Sequence, residues 1–87
     1  APLYNLNPPP DYPAAARRRN LEGTVLLEVL VDRHGRASQV RISRSCGHDL
    51  LDRSAQKSVQ QWRFAPAHRL GQPQEMWVQV PVRFQLQ

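Results

Sequence analysis

The sequence predicts an α+β domain: two helices packed on one face of a three-stranded antiparallel sheet, with the last strand at an edge. Three observations carry this. In residues 75–86, Val78, Val80, Val82, Phe84 and Leu86 fall on one face and Trp77, Gln79, Pro81, Arg83 and Gln85 on the other, the alternation of a half-buried strand. Two further apolar segments, at about 24–32 and 37–45, are joined by the turn Asp32-Arg33-His34-Gly35-Arg36, which makes a hairpin. Between that hairpin and the last strand, Leu51, Ala55, Val59 and Trp62 recur at helical spacing, the stripe of a helix buried along one side. A hairpin followed by a helix that returns the chain for a third strand gives an antiparallel sheet with the helices on one face.

The bulk composition fits one small domain. Eighty-seven residues with 40% hydrophobic content support a single modest core. Apolar runs such as Val25-Leu26-Leu27 are too short to span a bilayer, and no signal peptide is visible. The chain begins without methionine and runs into Pro8-Pro9-Pro10. The expectation is therefore a soluble fragment in which residues 1–11 are the extended end of a proline-rich linker and residues 12–87 form the domain. A net charge of +5, with all but one of the twelve basic residues Arg, favours anionic partners without choosing among nucleic acid, lipid headgroups and acidic peptides. The single cysteine, Cys46, excludes an internal disulfide framework and a cysteine-based zinc cage.

In chain order, Pro13 suits a first helical turn and Ala14-Ala15-Ala16-Arg17-Arg18-Arg19 has high helix propensity, so a short helix is expected over about 13–20. Gly23 breaks the chain before the first strand. There Val25, Leu27, Val29 and Val31 share one face, while Leu26 and Leu30 make the other partly apolar, as in a central strand. Gly35 takes the turn position that needs positive φ. The second strand turns Val40 and Ile42 inward. Cys46-Gly47-His48 interrupts the pattern, and the long helix runs from 49 to about 62, with Asp49 and Asp52 in its first turn and Arg63 at its end, as the helix dipole favours. Pro66 stops it. Residues 67–74, with Gly71 and Pro73, read as a loop.

The last strand holds the functional signal. Proline has no N–H for a ladder, so Pro81 belongs on an edge strand with its nitrogen turned outward. Successive residues of a strand point their backbone groups to opposite sides. Trp77, Gln79, Arg83 and Gln85 should then face the free edge while the even-numbered residues bond inward. A free edge invites another strand, although proline and charge are also ordinary edge protection. Trp77 could join Leu26 and Leu30 in an apolar patch on the outer face, against the plainer reading of scattered surface hydrophobes. Tyr12 suits either a plug over the sheet or a partner contact, while Trp62 and Phe64 read as core.

Other chemistries are weakly supported. Arg17-Arg18-Arg19 with Arg44, Arg53, Lys57 and Arg63 could bind phosphate, which keeps a basic adaptor for nucleic acid or another anionic envelope partner as the alternative reading. No nucleic-acid motif accompanies these residues, and the aromatics are not interleaved with them. Cys46 with His48 lacks an orienting third group and a cleft, and His34, His48 and His68 have no metal-ligand spacing. Neither catalysis, nor a cofactor, nor a metal is expected. A lone exposed Cys46 would allow artificial dimers in an oxidising compartment.

An ordered set of landmarks resembles a known family. Tyr12-Pro13 before the Ala/Arg helix, Leu21-Glu22-Gly23-Thr24-Val25, Val31-Asp32-Arg33-His34-Gly35, Ser45-Cys46-Gly47, Leu51-Asp52 with Ala55, Trp62-Arg63-Phe64-Ala65-Pro66 and Val80-Pro81-Val82-Arg83-Phe84 together resemble the C-terminal domain of the TonB energy-transducer family, over about residues 10–87. The resemblance implies a domain in the periplasm of Gram-negative bacteria, anchored to the inner membrane in the full-length protein. It also implies capture of the TonB box, a short peptide of TonB-dependent outer-membrane transporters, by strand addition. The absent membrane helix would engage ExbB and ExbD, and the transport served would be siderophore, haem or vitamin uptake.

Carried onto this sequence, the implied partner-binding residues are Tyr12, Pro13 and Arg17, with Met76, Trp77, Val78, Gln79, Val80, Pro81, Val82, Arg83 and Gln85. The chain departs from the family where Cys46 replaces the second of two serines, and where Asp11, Ala14 and Ala15 surround Tyr12-Pro13. Arg17 and its neighbours are placed to supply polar contacts from the next turn. Transporter and cargo are left open, as is oligomeric state, since a free edge also suits a homodimer.

Overall fold

The computed structural model describes residues 7–87. In chain order the elements are α1 (Ala14–Arg18), β1 (Gly23–Val31), β2 (Ala37–Arg44), α2 (Asp49–Val59), β3 (Ala67–Arg69), β4 (Gln72–Gln74) and β5 (Met76–Phe84). The three long strands form one antiparallel sheet in the order β2–β1–β5, and β3 pairs with β4 alone.

The core lies against one face of β1. Val25, Leu27 and Val29 are fully buried and Val31 nearly so, and they share one cluster with Ala16 of α1, Leu51, Ala55 and Val59 of α2, and Val80, Val82 and Phe84 of β5. Alternation along β1 and β5 and the four-residue spacing along α2 thus converge on one apolar layer, each fully buried Val or Leu contributing about 1.5–3 kcal/mol.

α1 is shorter than the sequence suggests, and its end is well defined. Asn20 takes φ 55°, its N–H bonds to the Arg17 carbonyl at 3.1 Å and the Leu21 N–H to that of Ala16 at 2.9 Å. This is a Schellman termination, with Asn in the left-handed position. α2 ends at Val59, not near Trp62; Gln61 and Trp62 instead bond back to Ser58 and Val59 in a tighter turn. Trp62 is buried there nonetheless, as is Phe64 in the following segment.

The β1–β2 turn is built around Asp32 and Gly35. One Asp32 carboxylate oxygen accepts from the amides of His34 and Arg36 at 2.8 and 2.9 Å, and the Arg36 amide is the main reason its pKa lies below the usual carboxylate value. Gly35 has φ 80°, and its carbonyl accepts from Phe64 N–H at 2.8 Å. A Cβ at this position would lie 2.2 Å from the Phe64 carbonyl oxygen, so both the conformation and the close approach require glycine.

Two expectations are corrected. Ile42 sits opposite Leu27 yet is 38% exposed, on a strand that has a neighbour on one side only; of the inward pair, only Val40 packs against the core. Residues 67–74 are not a loop but a small hairpin in which Ala67, His68 and Arg69 pair with Gln74, Pro73 and Gln72. Leu70 and Gly71 turn it, with φ of 52° and 79°.

Candidate functional site

β5 pairs with β1 without a single register shift, from Gly23 opposite Phe84 to Val31 opposite Met76, and Pro81 lies opposite Leu26. Antiparallel ladders alternate hydrogen-bonded and non-bonded pairs, and a residue with no N–H fits only a non-bonded one. The pair Leu26–Pro81 therefore sets the phase: Val78, Val80, Val82 and Phe84 bond to β1, and the amides of Trp77, Gln79 and Arg83 point the other way. Val80, Val82 and Phe84 are buried, while Met76, Trp77, Gln79, Pro81, Arg83 and Gln85 are exposed and Val78 is half-buried. Past the strand's end, the Leu86 amide donates to a Glu22 carboxylate oxygen at 2.7 Å, holding the tail against the start of β1.

Tyr12, Pro13 and Arg17 gather at one end of this strand. The Tyr12 ring meets Phe84 edge-on, with centroids 5.4 Å apart, and its hydroxyl donates to the Leu21 carbonyl. The Arg17 guanidinium lies 4.9 Å from the Tyr12 ring centroid, a cation–π contact. Burial, followed by the charge of Glu22, pushes the Tyr12 phenol above its ordinary pKa, against the opposing effect of Arg17. Tyr12 is thus a plug over the end of the sheet, and Pro13 is the residue capping α1.

The outer face of the sheet carries its own cluster. Arg41 of β2 reaches across β1, pairing with Glu28 at 3.2 Å, and its guanidinium lies 4.2 Å from the Trp77 ring centroid. Leu26 and Leu30, beside it on the same face, are half-buried. Trp77 is therefore held by a cation rather than left as an isolated surface hydrophobe.

Sequence reasoning missed a second wall beside β5. Asn7 forms a two-bond clasp with the backbone of Arg63, donating through Nδ2 to its carbonyl at 2.9 Å and accepting from its amide at 2.7 Å. Trp62 Nε1–H donates to the Pro8 carbonyl at 3.0 Å, and the Ser54 hydroxyl donates to the Asp11 carbonyl. Residues 7–11, expected as linker, are thus bonded to the body of the domain; residues 1–6 of that expected linker lie outside the described residues. The proline segment and Trp62 approach Pro81, Val82 and Arg83 around a groove of about 350 Å³.

The Ser45-Cys46-Gly47 and Leu51-Asp52 landmarks are structural. Asp52 of α2, 6% exposed, turns back to accept from the Ser45 hydroxyl and from the Cys46 amide at 3.1 Å. Burial alone would raise its pKa, but the Ser45 and Cys46 hydrogen bonds outweigh it and the carboxyl titrates below its usual range. Cys46 packs on Gly23, where a Cβ would come within 2.8 Å of its own. Its thiol faces the His48 carbonyl oxygen at 3.6 Å, not the imidazole, and burial pushes its pKa up. It is half-buried rather than fully exposed, a poor thiolate. Arg53 pairs with Asp49 at 2.8 Å on the exposed side of α2. No helix among the described residues is long and apolar enough to cross a membrane.

Comparison with known proteins identifies the family. The family model described as Gram-negative bacterial TonB protein C-terminal matches residues 8–86. Protein tonB2 of Pseudomonas aeruginosa is 46% identical over 83 residues, 95% of this chain and 31% of that protein. Protein TonB of Vibrio cholerae is 37% identical, covering 90% of this chain and 32% of its own length, and Protein TonB of Xanthomonas campestris is 39% identical, covering 94% and 36%. The chain spans about a third of the length of these relatives. On this match and on the landmarks it shares, the chain belongs to the TonB C-terminal family.

Proposed function

We propose that this domain is a non-enzymatic binding module of the periplasm that captures the TonB box of an outer-membrane transporter by strand addition along the outer side of β5. The rest of the protein, anchored in the inner membrane and coupled to ExbB and ExbD, then pulls on the domain through the segment preceding Tyr12. The observation that carries this reading is the unshifted β1–β5 register with Pro81 opposite Leu26, which supports the amides of Trp77, Gln79 and Arg83 as the donors offered to a partner. Backbone bonds accept many side-chain sequences, so one domain can serve transporters for siderophores, haem or vitamins. Loaded along the strand, several such bonds must break together, which resists pulling at modest equilibrium affinity.

Within this reading Met76, Trp77, Val78, Gln79, Val80, Pro81, Val82, Arg83 and Gln85 form the binding strand. Tyr12, Pro13 and Arg17 act chiefly by bracing its end through Phe84. Titrating the domain with a TonB-box peptide tests this. Saturable binding with the largest backbone shifts at Trp77, Gln79 and Arg83 is the expected result. Shifts clustered at Arg17 to Arg19 and Lys57 would favour a basic adaptor surface instead and overturn the strand mechanism.

A further inference from the structure

The outer side of β5 is not uniform. At Pro81 an added strand finds no N–H, so one of its carbonyls goes without a partner from the sheet. At this same point the strand is flanked by the groove between the clasped N-terminal segment and the sheet, walled chiefly by the proline run, Trp62, Pro81 and Val82, with Asn7 and Arg83 also lining it, and with about 350 Å³ of space.

The walls are mostly apolar and held in place. The proline run is pre-ordered, and it is tied down by the Asn7–Arg63 clasp, the Trp62–Pro8 bond and the Ser54–Asp11 bond. The indole N–H already engages the Pro8 carbonyl and the Asn7 side chain the Arg63 backbone, so the polar groups around the groove are Asn7, already bonded, and the exposed cation Arg83 at its rim. Residues directly opposite one another in a sheet point to the same face. Val82 points to the core side, where Trp62 belongs to the same buried cluster, so a residue added opposite Val82 directs its side chain to the groove's side of the sheet. The adjacent residue, opposite Arg83, directs its side chain to the outer face beside an exposed guanidinium.

Building on the edge reading above, we propose that the groove is a side-chain subsite of the peptide-binding strand. It takes one aliphatic side chain, from the residue paired with Val82, and selects an acidic residue next to it in sequence, paired with Arg83. Because the two positions are neighbours, the acidic residue precedes the aliphatic one in an antiparallel added strand and follows it in a parallel one. Side-chain burial thus takes over where the backbone ladder is broken, and partner choice is made at that point.

The test uses the ¹⁵N-labelled domain and three ten-residue peptides in one extended host sequence, carrying Glu-Leu-Glu, Glu-Gly-Glu or Gln-Leu-Gln at the centre so that either strand direction is served, and called below the Glu-Leu, Glu-Gly and Gln-Leu peptides. The readouts are the Trp62 indole N–H and the backbone amides of Gln79 and Arg83. The Glu-Leu peptide is expected to move all three. The Glu-Gly peptide should bind about tenfold more weakly and leave the indole unmoved, and the Gln-Leu peptide should lose a fewfold in affinity and show less dependence on salt. Asn7→Ala, which releases the clasp without touching the core, should bring the Leu and Gly peptides within about twofold of each other. Equal affinity for Leu and Gly, or moving amides with a still indole at saturation, overturns the subsite and leaves strand addition standing. Amides that answer none of the peptides sink strand addition itself, and the subsite with it. An indole shift without amide shifts contradicts both.

Discussion

β2 and β5 both flank β1, and each is bonded to it on one side only, yet the two strands are built differently. The pairing of β1 with β2 carries register shifts at Leu26/Leu27 and at Leu30/Val31, irregularities of the kind that hinder further pairing at a sheet edge. β2 is rich in serine and arginine, and Gln56 of α2 donates its side-chain amide to the Val40 carbonyl at 2.9 Å, so the helix covers part of its backbone. β5 has no bulge along its whole length, and Pro81 alone interrupts its outer side. Register shifts, one device that keeps sheet edges from pairing, occur on β2 alone of the two, while β5 carries the proline and charge of Pro81 and Arg83; the proposed function takes β5 as the side that accepts a strand. On that proposal one sheet has a closed flank, β2, and an open one, β5.

The sharpest way to break this contrast is to add a proline one residue before Pro81. Val80→Pro should remove an inward bond to Leu27 and leave a buried carbonyl unsatisfied at a fully buried site, costing about 3 kcal/mol in chemical denaturation. Next in size is a lesion confined to the closed flank. Asp52→Ala strips the acceptor from the Ser45 hydroxyl and Cys46 amide and should cost about 2 kcal/mol, while the folded fraction binds peptide as before. Asp52 has a depressed pKa in the fold, so the stability it contributes is complete above about pH 4 and is lost as the pH falls through the folded value. The gap between wild type and Asp52→Ala should close in the same direction.

Smaller effects probe the open flank directly. Gln79→Pro removes only an outward amide, so stability should change little while peptide affinity falls about tenfold, the worth of one ladder bond. Pro81→Ala restores the missing N–H and should tighten peptide binding about threefold. It should also raise self-association in sedimentation, because an uninterrupted edge pairs with its own copy.

The sequence was most informative where periodicity and burial coincide. The alternation of β1 and β5 and the Leu51–Ala55–Val59 stripe name most of the core, and Pro81 names the phase of the ladder. It was least informative where structure depends on contacts between distant segments. Nothing local marks residues 7–11 as docked, since their partners, Ser54, Trp62 and Arg63, lie 43 to 56 residues away. The Arg41–Trp77 contact needs the register of two strand pairs before it becomes visible. The β3–β4 hairpin was hidden because Leu70–Gly71 makes a turn with two positive φ values without the Asn-Gly or Asp-Gly that usually announces one, and because Gln72-Pro73-Gln74 has no apolar alternation. Trp62 extended the α2 stripe by one step only because a turn residue happened to share its spacing.

Amide hydrogen exchange along β5, with and without the box peptide, tests the open-flank account most directly. In the free domain Val78, Val80, Val82 and Phe84 should be protected while Gln79 and Arg83 exchange freely. On saturation with peptide, Gln79 and Arg83 should gain protection with no change in β2. Protection that does not alternate in the free domain, or that appears in β2 when peptide binds, would contradict it.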